Sequence, residues 1–95
     1  MKTKIKKETL KVAANSHPNK VAGAIAGALR DGSNVELQAI GAGAINQAVK
    51  AIAVARGYIA PSGDDLLCAP GFIDLEVGGK LKTGIILKLS LSATA

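Results

Sequence analysis

The strongest constraint on this chain is a change of period inside one stretch, Val35 to Arg56, VELQAIGAGAINQAVKAIAVAR. Val35, Leu37 and Ala39 alternate with Glu36, Gln38 and Ile40, which is a strand period, and beyond Gly41-Ala42-Gly43 the apolar positions recur at helical spacing. A strand that becomes a helix through two glycines can hold a ligand. Glycine lets the backbone come close, and the helix that follows offers unpaired N–H groups and a positive dipole end to phosphate.

Similar reasoning orders the rest of the chain. Thr9 to Ala14 alternates as a strand, with Leu10, Val12 and Ala14 on one side, and Asn15-Ser16-His17-Pro18 ends it. Pro18 opens a helix with Ser16 or His17 as its cap and an apolar stripe of Val21, Ala22, Ile25, Ala26 and Leu29, closed by Arg30 and Gly32. The strand-helix-strand unit so formed should pair its strands in parallel. A second helix, about Ala44 to Arg56, presents Ile45, Ala48, Val49, Ile52 and Ala55 on one face, and Gly57 stops it. Its other face, Asn46, Gln47, Lys50, Ala53 and Val54, is too apolar for full solvation and implies a second buried contact, either within the fold or across a dimer. After the turn cluster Pro61 to Asp65, Leu66 to Val77 and Leu81 to Leu91 read as strands joined at Gly78-Gly79. The expected fold is α+β, a two-layer α/β sandwich in the order β-α-β-α-β-β.

At 95 residues and 48% apolar content the chain has material for one domain, residues 9–95, preceded by a basic arm, residues 1–8, expected to be flexible. Aromatic content is only 2%, Tyr58 and Phe72, so the layers should pack closely over small side chains and gain buried surface by self-association. The net charge of +5 favours an anionic partner, and Lys2, Lys4, Lys6, Lys7 and Lys11 concentrate it near the N-terminus. One cysteine, Cys68, excludes an internal disulfide framework and favours the cytoplasm. Glu8, Lys11 and Asn15 interrupt any signal-peptide core. The longest uncharged stretch, Leu37 to Val49, is 13 residues, short of the roughly 20 that cross a membrane.

Several motifs have plainer readings. Gly41-Ala42-Gly43 begins like a dinucleotide fingerprint, with Asp64 lying 23 residues after Gly41, but Asn46 takes the third glycine's place and a hairpin follows where strand-helix-strand is needed. A phosphate site for nucleic acid and simple close packing are the readings left for the turn. Gly23 and Gly27, four apart, are expected to let the first helix lie close on the sheet. His17 is the only histidine, so no metal cluster or catalytic triad can assemble around it; the plain reading is a lone exposed imidazole, and the sharper alternative is a cap or a phosphate contact. Cys68, in LLCAP, reads as a small buried hydrophobe. No cofactor is implied. Lys20, Lys50, Arg56, Lys80, Lys82 and Lys88 complete the basic set, while stacking residues for single strands are nearly absent.

The segments PNKVAGAIAGALR, QAIGAGAINQAVKA and APSG resemble the stage V sporulation protein S family, small bacterial regulators with an Alba-like fold, over about Leu10 to Leu91. The Alba-like fold is also that of the C-terminal domain of bacterial initiation factor three. In Alba proteins a Lys-Pro pair opens the first helix and a basic strand-to-helix turn contacts phosphates. Here His17-Pro18 and Ala44-Ile45-Asn46-Gln47-Ala48-Val49 match, whereas the basic positions fall on Gly41, Gly43 and Gln47. The resemblance implies a non-enzymatic nucleic-acid-binding regulator of sporulation or related developmental gene expression. Its expected contacts are His17, Lys20, Gly41, Ala42, Gly43, Asn46, Lys50, Lys80 and Lys82. The expected partners are nucleic acid, DNA before RNA, and a second copy of the chain as a homodimer or higher oligomer, with no membrane. The alternative is an interaction module that assembles as a homo-oligomer without touching nucleic acid.

Overall fold

The computed structural model describes residues 6–93. Its elements are β1 (Lys7–Val12), α1 (Pro18–Arg30), β2 (Asn34–Ala39), α2 (Ala42–Ile59), β3 (Asp64–Val77) and β4 (Lys80–Ala93), with a short 3-10 turn, Ala60–Ser62, before β3. The sheet runs β1-β2-β4-β3, with β1 and β2 parallel and the other pairs antiparallel. This is the expected order and parallel pairing. Both helices pack on one face of the sheet, where Val12, Val35, Leu37, Ala39, Leu87 and Leu89 meet Ala22, Ile25, Leu29, Ala48 and Ala55. The other face carries no helix.

β1 begins at Lys7, so Lys7 and Glu8 belong to the sheet rather than to the arm, whose Lys2 and Lys4 lie outside the described residues. Helix α1 buries Ala22, Ile25, Ala26 and Leu29 as its stripe predicts. Its end is closed by Gly32 in the left-handed region, with Gly32 N–H donating to Leu29 O (3.0 Å) and Ser33 N–H to Ala28 O (3.0 Å), the paired bonds of a Schellman motif. Gly23 and Gly27 do not contact the sheet: both are exposed, and a methyl group on either would meet open space.

Helix α2 departs most from expectation. It runs past Gly57 to Ile59, because glycine weakens a helix without ending it, and the chain reverses only at Gly63, left-handed at φ 83°. Its buried row is Ala44, Ala48, Ala51, Ala55 and Ile59, rotated from the expected face, so that Val49 is 53% exposed and Ile45 and Ile52 are half-buried. Alanines fill the middle of the row because the space between α2, α1 and the sheet is thin, with Ile59 entering only at its end, and Ile45, Val49 and Ile52 lie to one side of it. On the opposite side Val54 packs against the core while Ala53 and Lys50 are exposed.

β3 and β4 pair over their whole length, and Gly78 and Gly79, both left-handed at φ 59° and 78°, make the two-residue turn. β2 reaches only to Ile85 of β4, so Asp74 to Thr83 projects as a two-stranded arm. Cys68 is exposed rather than buried, and partial burial pushes its thiol up, which keeps it protonated at neutral pH.

Candidate functional site

Parallel pairing of β1 and β2 places the carboxyl ends of both strands, and hence the amino ends of both helices, on one edge of the sheet. Two contacts hold the helix starts together. Gln47 of α2 donates from Nε2 to Ser16 O at 2.8 Å, one residue before the α1 cap, and the site of a methyl group on Gly43 is 3.1 Å from Ala14 Cβ. The intervening loop is tightened by Ser16, whose N–H donates to Ala13 O (3.0 Å) and whose Oγ accepts from Ala13 N–H (2.9 Å).

Neither helix start is neutralised. His17 caps α1 and Gly41 caps α2 by position, and neither first turn holds an acid or a side-chain cap. Pro18 has no N–H, and Lys20 and Val21 donate to His17 O, so α1 offers only the Asn19 N–H while α2 offers those of Ala42, Gly43 and Ala44. Each terminus carries roughly +0.5 of a charge, so the pair amounts to about one positive charge presented largely by backbone. Lys20, exposed in the first turn of α1, adds another.

Gly41 and Gly43 do different work. Gly41 adopts φ 90°, ψ 155°, a region essentially closed to other residues, and this lets β2 turn directly into α2. Gly43 is helical and serves only to admit Ala14. Gly41→Ala should therefore cost about 1–2 kcal/mol, torsional strain at a site with open space around it. Gly43→Ala, which gains helix propensity against a tight contact, should shift stability by less than about 0.5 kcal/mol. Thermal melts of the two variants test this assignment, and equal losses would contradict it.

The arm reaches the same end of the molecule. Leu75, Glu76 and Val77 line a groove with Lys11, Ala14, Gln38, Ile40 and Ala44. Lys80 and Lys82 project from the arm opposite Val77 and Leu75. Glu76 opposes an anion here, with a charge similar in size to that of the two helix ends. The structure thus brings together His17, Lys20, Gly41, Ala42, Gly43 and Asn46, with Lys80 and Lys82 on the adjoining arm. Lys50 does not join them: it lies exposed eight residues into α2, about 12 Å from the helix start at 1.5 Å per residue. Gln47 was missed as a part of the site, and Lys11, which borders the groove from the helix-free face, as its neighbour. Gln47 gives no local signal, since its role depends on where Ser16 is brought by the fold.

At the far end of α2, the Arg56 Nε donates to Asp65 Oδ1 at 2.7 Å. That bond and the Leu66 N–H hold the Asp65 carboxyl below its usual range, a contribution present at neutral pH and lost as acid protonates the group. Among the described residues no cluster of His, Cys, Asp or Glu could hold a metal, and no helix is long and apolar enough to cross a membrane.

A family model described as stage V sporulation protein S matches residues 8–92. Among solved structures, Alba from Thermoplasma volcanium is similar with a TM-score of 0.58 at 15% identity, covering 90% of this chain and 99% of that one. At that identity the likeness establishes the fold, which is Alba-like.

Proposed function

The chain belongs to the stage V sporulation protein S family, and we propose that it acts as a non-enzymatic, cytoplasmic nucleic-acid-binding regulator of sporulation or related developmental gene expression. The observation that carries this reading is the pair of uncapped, acid-free helix starts held side by side at one edge of the sheet. Such a site takes phosphate through backbone N–H groups, which replaces the basic side chains that Gly41, Gly43 and Gln47 do not supply. Lys20 flanks it directly, and Lys80 and Lys82, on the helix-free side of the adjoining arm, meet phosphates further along the same duplex. With so few aromatic residues for stacking, duplex DNA is the favoured form.

Binding should be sequence-tolerant, because backbone amides and lysines on phosphates read no base. On random-sequence duplex DNA the affinity should fall steeply with salt, by about 0.9 in log-log slope for each phosphate neutralised. Lys20→Gln with Lys82→Gln should flatten that slope by about 2 and leave the melting temperature unchanged. No binding at low salt would remove the proposal.

Self-association is the second reading with an observation of its own. Phe72 is 84% exposed and Leu81 74%, on the helix-bearing side of the sheet where α2 leaves β3 uncovered. The Asp74 and Thr83 pair separates the two, so Phe72 is the candidate centre of a contact surface there.

A further inference from the structure

On β1, Lys7, Thr9 and Lys11 alternate to the face without helices, and the register carries that face across the sheet. Thr9 pairs with Glu36 and Glu36 with Lys88, while Lys11 pairs with Gln38 and Gln38 with Ile86. Lys80 and Lys82 extend the same side along the arm. Every lysine placed in a strand therefore points one way. The strand acids Glu8, Asp64, Asp74 and Glu76 alternate to the opposite, helix-bearing side.

Two acids share the lysines' alternation, and both are neutralised. Glu36, 6% exposed, lies 3.1 Å from Lys7 Nζ and accepts from Thr9 Oγ1 at 3.2 Å, while Asp65 is taken up by Arg56 around the β3 edge. Lys11, Lys80, Lys82 and Lys88 have no carboxylate partner among the described residues. Lysines that only solvated the sheet would be interspersed with acids, as ordinary protein surfaces are. Segregation of sign on the two sides of the same strands points to a ligand of one sign.

We propose that the open face of the sheet is a second nucleic-acid contact surface, with Lys11 and Lys88 holding the phosphate backbone of a duplex that continues from the arm; this rests on the nucleic-acid reading above. Lys80 to Lys88 spans roughly 27 Å at 3.4 Å per residue, most of one duplex turn. The exposed ring of Phe72 lies on the other side, so the face has no aromatic anchor for a lipid surface and none for stacked bases. Self-association through the Phe72 side would leave this face free.

The test is the full-length Lys11→Gln, Lys88→Gln variant on random-sequence duplex DNA across a salt series, beside the wild-type chain, the Lys20→Gln, Lys82→Gln variant and a Lys11→Arg, Lys88→Arg control. The expected result is a slope shallower by about 2, restored by arginine, with an unchanged melting temperature. A wild-type slope in the glutamine variant overturns this inference, and if the Lys20→Gln, Lys82→Gln variant is still weakened the proposed function survives it. No binding by the wild-type chain sinks both. Loss of binding to vesicles of anionic lipid, with DNA binding intact, would assign the face to membranes instead and overturn the inference.

Discussion

Gly84→Val should be among the most damaging single substitutions in this chain, costing about 3 kcal/mol, the upper end of the usual overpacking range. A methyl group at Gly84 would lie 2.8 Å from Ala39 O and 2.9 Å from Ile40 Cγ1, so part of the obstacle is backbone, which cannot rotate away. Relief requires β2 and β4 to separate where Ala39 pairs with Ile85, beside the turn that starts α2. For a domain of this size the melting temperature should fall by more than 10 °C. Gly71→Ala is the control: its methyl group would make an ordinary 3.4 Å contact with Ile86 Cγ2, and alanine restricts the unfolded chain, so that variant should be neutral or slightly stabilised. Similar losses in the two variants would mean that close approach at Gly84 is not what the fold depends on.

Gly84 also marks the limit of reading this fold from residues. The order of elements was legible because each has a clean period: alternation in Val35 to Ile40, a helical stripe from Val21 to Leu29, and Gly78-Gly79 between two strands. The buried face of α2 was not. Ile45, Val49 and Ile52 outweigh Ala44, Ala51 and Ala55 in hydrophobicity, yet the thin gap above the sheet takes alanines through the middle of the row, and gap width is a property of the whole fold. At the site, Gly41 was legible as a turn glycine, whereas Gly43 looked equivalent and is a packing glycine. The open lysine face was half-visible: Lys7 and Lys11 alternate in KETLKV, but their alignment with Lys88 exists only in the register of β1, β2 and β4.

Phe72→Asp should abolish self-association while leaving the monomer's stability nearly intact. Phe72 contributes little to the fold at 84% exposure, and it shares the helix-bearing side of β3 with Cys68 and Pro70, both exposed. Around a two-fold axis each ring can lie against the other copy's exposed Cys68 and Pro70. Burying a phenylalanine is worth about 1.5–3 kcal/mol, and a symmetric contact buries two, so the dimer should lose about 3–6 kcal/mol. That is a change of two to four orders of magnitude in the dissociation constant. Sedimentation equilibrium should therefore find the wild-type chain dimeric and the variant monomeric at the same concentration, and only the wild type should melt at a temperature that rises with concentration. A wild-type chain that stays monomeric at high concentration would defeat self-association itself, and a variant that still dimerises would place the assembly surface elsewhere. Val54, read from the sequence as part of a second buried contact within the fold or across a dimer, packs on the core, so Val54→Asp should act mainly by lowering the stability of each copy.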